Sequence, residues 1–260
     1  HPLSGQDDWI EVHNRDLSHP APLRGLYFSV SNALGQVPAL SFVAPGGFVQ
    51  LRADEQPGPD HLELTLPAAG ATLVMSDATG AELDRVTYGP QAEGVSMGRL
   101  PDGTGPVTAF PGSESPAAPN YVRVPGGPVF NEVMARNQAA YTNAAGQVSD
   151  WLELFNPQAT ELDVSGYRVS VGRAEPGEWV IPAGTRMAAG GYRLLTCEGS
   201  APASTNAGTW LNLGRSLAAE GEVIHLFNPA GQIVDSVVFG FQLVDASIGR
   251  TSNGWRLLSA

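Results

Sequence analysis

Two Asp-Trp-x-Glu tetrads hold the first residues whose types and spacing could do chemistry. Asp8-Trp9-Ile10-Glu11 and Asp150-Trp151-Leu152-Glu153 each place two carboxylates three residues apart. Such pairs can hold a hard cation or share the acid and base roles of a hydrolysis. On a strand, however, residues at odd separation project from opposite faces, so neither pair makes one site without a bulge. The spacing therefore points to structure, with Trp9 and Trp151 packing at a sheet border and Glu11 and Glu153 each meeting a partner. Ser96-Met97-Gly98-Arg99 and Ser247-Ile248-Gly249-Arg250 recur in the same way. An arginine could clamp an anion, or form a partly buried bidentate pair with a carboxylate. Recurrence in two segments that need not share a ligand favours pairing, with Glu11 and Glu153 or Asp84 and Asp235 as candidate acids.

Other chemistry-bearing residues are scattered. Asp54, Glu55 and Asp60 form an acidic loop cluster, a weak calcium candidate, since hard cations need several converging oxygens; no other cofactor is suggested. The five histidines have no zinc-ligand spacing, and the chain has one cysteine, Cys197. Cys197 follows Leu194-Leu195 in an apolar strand and reads as a buried small hydrophobe. His225, between Ile224 and Leu226, is expected on the opposite, solvent-facing side of its strand. No Gly-x-Ser-x-Gly elbow occurs. Tyr141 and Trp210 fall in loops, where they could anchor a protein or glycan partner or simply pack. No residue set reads as catalytic, and the chain is not expected to be an enzyme.

Composition narrows the classes further. All 14 basic residues of the 260-residue chain are arginine, against 26 acids, for a net charge of −12. Without lysine there is no Schiff-base nucleophile and no phosphate-loop lysine. The acidic balance argues against nucleic-acid binding through basic patches. No apolar run is long enough to span a membrane as a helix. With 31 Gly and 21 Pro, the chain reads as short strands joined by many turns.

The elements that must position these residues occur twice. Asp8 to Asn14 matches Asp150 to Asn156; Ala44-Pro45-Gly46-Gly47-Phe48 matches Ala188-Ala189-Gly190-Gly191-Tyr192; Leu66 to Gly70 matches Leu217 to Gly221; Gly80 to Asp84 matches Gly231 to Asp235; and the two Ser-x-Gly-Arg motifs close the series. The order is the same in both halves, which predicts two domains at 1–120 and 128–260 with a linker at 121–127. The Pro/Gly/Ser-rich stretch from Pro111 to Asn120 reads as part of that semi-rigid connection. The first half carries a net charge of −9 and the second −3. Within each half the apolar period is two, as in Leu152 and Leu154 around Glu153, and Asn228-Pro229-Ala230-Gly231 separates two apolar runs as a hairpin turn. About seven short strands per half suggest an antiparallel sandwich. Asn131 to Asn137 is the one helical-looking stretch, but beside its Pro-Val-Phe entry the edge-strand reading is favoured over a helix. The first half lacks a counterpart of Val129 to Met134, so its sheet edge is expected to be completed by the native chain or by a partner through strand complementation.

These residues resemble the lamin-tail domain family. The pattern runs through Phe130-Asn131-Glu132-Val133, Asp150 to Asn156, Trp179 to Thr185, Gly190-Gly191-Tyr192, Gly221 to Leu226, Val234-Asp235 and Ser247 to Arg250. The first half is similar but looser, keeping Asp8 to Glu11 and Ser96 to Arg99. The resemblance implies an all-β chain of two tandem immunoglobulin-like antiparallel sandwiches of bacterial type. It carries no catalytic constellation. It implies a non-catalytic binding or structural module of an exported or cell-envelope protein, extracellular or envelope-bound, contacting a protein partner through loops and edge strands. The alternative is a pair of accessory domains in a secreted, nuclease-like hydrolase whose catalytic domain lies elsewhere.

Overall fold

The computed structural model describes residues 7–38, 40–143, 146–172, 177–252 and 254–259. Every regular element among the described residues is a strand, as the period-two alternation implied, and no helix there is long and apolar enough to cross a membrane. The chain divides into two compact units, residues 1–122 and 123–260.

The first unit contains β1 (Asp8–His13), β2 (Ala21–Pro22), β3 (Tyr27–Val30), β4 (Ala33–Gln36), β5 (Phe42–Val43), β6 (Phe48–Ala53), β7 (His61–Leu62), β8 (Ala71–Ser76), β9 (Glu82–Tyr88), β10 (Val95–Arg99) and β11 (Val107–Pro111). One sheet has the order β4-β3-β8-β9; β1-β6-β7, the hairpin β10-β11 and the short pair β2-β5 stand apart from it. Alternation decides which side chains meet inside. Ile10, Leu51, Leu62 and Leu64 are buried with Phe28 and Val43, and Leu73 and Met75 pack against them. The β8–β9 turn is set locally: Asp77 Oδ1 accepts from the amides of Thr79 and Ala81, and Gly80 supplies the positive φ of 84°.

The second unit contains β12 (Val129–Met134), β13 (Asp150–Phe155), β14 (Leu162–Asp163), β15 (Arg168–Val171), β16 (Trp179–Val180), β17 (Arg186–Met187), β18 (Tyr192–Cys197), β19 (Glu222–Phe227), β20 (Ile233–Phe239), β21 (Ala246–Thr251) and β22 (Gly254–Ser259). A five-stranded sheet, β18-β13-β12-β21-β22, and a four-stranded sheet, β16-β15-β19-β20, supply an apolar core that includes Phe130, Leu152, Leu154, Trp179, Leu195, Ile224 and Val237. The core is larger than that of the first unit.

Three expectations change here. Val129–Met134 is a central strand, not an edge, because it pairs with β13 on one side and β21 on the other. The stretch from Pro111 to Asn120 is not a free connector: Ser113, Ser115 and Ala118 are buried, as is Tyr121 just beyond it. His225 is also buried, lying in register between Ser170 and Ser236 on the strands to either side. Alternation separates the two faces of a strand but does not reveal that the outer face is covered.

The two units treat their sheets differently at one place. In the second unit β12 joins β13 to β21. In the first, β1 and β10 occupy the corresponding places, and no described strand lies between them.

Candidate functional site

The arginine of the second Ser-x-Gly-Arg motif secures β12. Arg250 Nη2 donates to both carboxylate oxygens of Asp235, at 3.0 and 2.8 Å, while its Nε donates to the carbonyl of Phe130 at 3.0 Å. Asp235 Oδ2 in turn accepts the Phe130 amide at 2.7 Å. The guanidinium is thus shared between a carboxylate and a strand carbonyl rather than spent on a two-nitrogen fork to the acid. Burial pushes the Asp235 carboxyl up from its ordinary range, and Arg250 and the Phe130 amide pull it back only partway. Trp255 closes the outer side, 4.9 Å from the guanidinium carbon to the ring centre. Glu153 accepts from Asn131 Nδ2 at 2.7 Å, and Trp151 is buried edge-on against Tyr141. Asp150 instead receives the amides of Asn137 and Leu217, so the two acids of this tetrad serve different places.

A β-bulge aims Asp235. Leu226 pairs with Asp235 and Phe227 with Ile233, so Val234 is the extra residue. The first unit repeats the device: Met75 pairs with Asp84 and Ser76 with Glu82, leaving Leu83 extra. Arg99 Nη2 meets Asp84 Oδ1 at 2.7 Å and the Arg85 carbonyl at 2.9 Å. Here the pair is open to water, with the Asp84 side chain 48% exposed against 1% for Asp235.

Loops fill part of the space between β1 and β10. The Ala117 amide donates to Glu11, Asn120 Nδ2 donates to the Arg99 carbonyl at 3.2 Å, and the Asn120 amide donates to Asp102 at 3.0 Å. The edge expected to stand open is therefore covered at Glu11 by the chain's own residues. Burial pushes the Glu11 carboxyl up to about 8, against the pull of the Ala117 amide. Burial also raises Asp102 and lowers His13. Trp9 on β1 is half-buried beside the fully packed Ile10.

An open space lies at the end of β1, beside residues 21–26 and the β8–β9 turn. A cavity of about 550 Å³ is lined by Val12, Leu26, Met75 and Leu83, with Arg15 and Arg24 among its charged residues. Its size is that of a ligand site and its walls are mostly apolar.

The acidic loop does not converge on a cation. Asp54 faces His61 Nδ1 at 2.7 Å, while Asp60 lies 3.5 Å from His61 Nε2 and 3.8 Å from Arg52. Among the described residues no three His, Cys, Asp or Glu side chains gather as a metal site. The calcium candidate Asp54, Glu55, Asp60 is thus corrected: two of its acids are turned toward cationic or titratable partners rather than each other. Cys197 is buried, and burial holds its thiol well above the ordinary range. Trp210 is 37% exposed.

Two features were not singled out from sequence. Asn14 and Asn156, which end the two repeated tetrad segments, are buried loop pins. Asn156 Nδ2 lies within hydrogen-bond distance of the carbonyls of Thr160, Met187 and Ala188. Asn14 Nδ2 does the same with His19, Val43 and Ala44. Their recurrence was the available signal. The second feature is the β20–β21 connection, where Phe241, Leu243 and Val244 are 65%, 52% and 43% exposed. The loop is nevertheless held. The Gln242 amide donates to the Ala219 carbonyl, and Asp245 Oδ1 accepts the amides of Gln138, Ala139 and Ala140. Arg136 lies over the Phe241 ring.

Residues 122–241 match the family model of the lamin tail domain, a non-catalytic immunoglobulin-like family. No curated protein matches the chain.

Proposed function

We propose that the chain is a non-catalytic protein-binding module, built of two tandem lamin-tail-like sandwiches of bacterial type and carried by an exported or cell-envelope protein. The observation that supports this reading is the β20–β21 loop. Three large apolar side chains, Phe241, Leu243 and Val244, stand in water on a backbone fixed by Gln242 and Asp245. A clustered, ordered apolar loop fits a contact surface, because its burial releases water without the cost of ordering a flexible segment. The match of residues 122–241 to a non-catalytic family supports a binding rather than a chemical role.

The test is affinity capture from envelope fractions with the full chain and with a Phe241→Ser/Leu243→Ser variant. A defined partner retained by the wild type and lost by the variant supports the reading. Capture that ignores the substitution, or co-purifying hydrolase activity with no binding partner, overturns it and favours an accessory role beside a catalytic domain.

A further inference from the structure

Among the described residues, the first unit has no strand in the place that β12 takes in the second unit. There, Val129 pairs with Phe155 and Phe130 with Leu154 on one neighbouring strand, and Gly127, Pro128, Val129 and Phe130 are all buried. A Cβ on Gly127 would lie 3.8 Å from Val234 Cβ and 3.6 Å from the Tyr167 hydroxyl, ordinary contact distances. The repeat places Val12 at Leu154, Leu26 at Tyr167, Met75 at Leu226 and Leu83 at Val234. Those four first-unit residues are walls of the 550 Å³ cavity. By the repeat, the cavity corresponds to the place beside Tyr167 and Val234 where Gly127 and the start of β12 pass in the second unit.

A second observation concerns polar atoms. In the second unit, Asp235 Oδ2 takes the Phe130 amide and Arg250 Nε holds its carbonyl. In the first unit, Asp84 uses Oδ1 and Arg99 uses Nη1 and Nη2 for their contacts. Asp84 Oδ2 and Arg99 Nε, the counterparts of the two strand-holding atoms, have no hydrogen-bond partner among the described residues. The shared bulge presents Leu83 and Asp84 as it presents Val234 and Asp235. The unused acceptor, Asp84 Oδ2, belongs to the residue that follows Leu83, a wall of the slot, and Arg99 is paired with Asp84.

We propose that the first unit binds an extended segment of a partner protein with the pattern small residue, Pro, apolar residue, Phe. The apolar pair enters among Val12, Leu26, Met75 and Leu83. The backbone beside it hydrogen-bonds to Asp84 Oδ2 and Arg99 Nε, adding a strand edge-on to β1. The Ala117–Asn120 stretch stays on Glu11, so the segment needs only the open end of the slot. The inference rests on the tandem, protein-binding reading but uses a different surface from the β20–β21 loop.

The probe is a fluorescent peptide with the sequence of residues 126–135, titrated into the full chain by anisotropy. Saturable binding is expected, weakened about tenfold or more by Leu83→Glu on a half-exposed wall residue, by Arg99→Ala, or by Ser in place of the peptide's Phe. A photoreactive phenylalanine at the Phe position should crosslink to Val12, Leu26, Met75 or Leu83 of the wild-type chain. This readout does not depend on any variant folding. No binding, or binding indifferent to all three changes, overturns the proposal, as do crosslinks confined to Leu154, Leu226 or Val234, which would mean strand exchange in the second unit. Because the Phe241→Ser/Leu243→Ser variant keeps the slot, peptide binding by that variant separates this proposal from the fate of the loop surface.

Discussion

Arg250 and Asp235 hold Phe130 from its two polar sides, one taking its carbonyl and the other its amide, while pairing with each other. This relationship ties β12, β20 and β21 into one structure. Arg250→Lys keeps a charge but offers one compact ammonium in place of a fork that reaches two acceptors at once. Because the Asp235 side chain is 1% exposed, its loss of a partner is expensive. The substitution is expected to destabilise the second unit by about 2 kcal/mol or more. Urea unfolding followed by tryptophan fluorescence reads this, since Trp151, Trp179, Trp210 and Trp255 all lie in that unit. An unchanged midpoint would refute the account.

Arg99→Lys is expected to cost far less. The Asp84 carboxylate is half in water, where screening leaves an ion pair worth under about 1 kcal/mol. Hydrogen exchange along β9 and β10 should show only a small loss of protection. Losses equal to those around β20 and β21 in Arg250→Lys would mean that burial is not what separates the two pairs.

Glu11 makes the first unit sensitive to pH. Its carboxyl titrates near 8 in the folded chain, above its ordinary value of 4.5, because it is buried beneath Ala117. A folded state that holds this proton more tightly than the unfolded chain loses stability as pH rises from the ordinary glutamate range through about 8. Asp102, also raised by burial, acts in the same direction. Glu11→Gln should flatten the decline, and its advantage over the wild type should be greater at about pH 9 than at about pH 5. A wild-type midpoint for the first unit that climbs across this window would show that Glu11 is ionised in place.

Asn156 should be among the least replaceable polar residues of the second unit. Its amide faces the carbonyls of Thr160, of Met187 at the end of β17 and of Ala188 just beyond, and its Oδ1 accepts the Gln158 amide at 3.0 Å. Asn156→Ala removes these bonds, leaving the Ala188 carbonyl only its bond from the Gly191 amide, at a cost of roughly 2 kcal/mol. Asn156→Asp should be nearly as damaging, since a carboxylate would face carbonyl oxygens. Thermal unfolding distinguishes this from a surface asparagine, whose replacement would barely shift the transition.

The sequence carried the local part of this fold and missed the part that depends on distant chain. Leu152 and Leu154 alternate with Glu153, and Asn228 to Gly231 makes the β19–β20 turn, with the Asn228 amide bonded to the Gln232 carbonyl. Both facts are set within a few residues. The central place of β12 is not, because Glu132 pairs with Gly249, more than a hundred residues away. The packing of Ser113, Ser115 and Ala118 gave no signal, since small residues fill space without an apolar pattern. The arginine motifs were visible as repeats. Which of their atoms face a strand depends on the bulges at Val234 and Leu83, and no composition rule marks those.

The repeated glycines Gly70 and Gly221 provide a last test, in which position matters more than residue type. Gly221 has φ of 126°, and a Cβ there would lie 2.8 Å from the Phe239 carbonyl oxygen. Gly70 has φ of 102°, with the same atom 2.7 Å from the Tyr88 carbonyl oxygen. In each unit this glycine leads into one strand of a hairpin while packing on the end of the other, so the obstacle is backbone and cannot swing aside. Gly221→Ala and Gly70→Ala should each destabilise their own unit by about 2 kcal/mol or more, combining backbone strain with a clash. Gly240→Ala and Gly89→Ala, whose Cβ would meet nothing within 4 Å, are the controls and should shift unfolding by no more than about 0.5 kcal/mol. If the neighbouring glycines proved equally sensitive, general loop rigidity rather than this close approach would be what the repeats preserve.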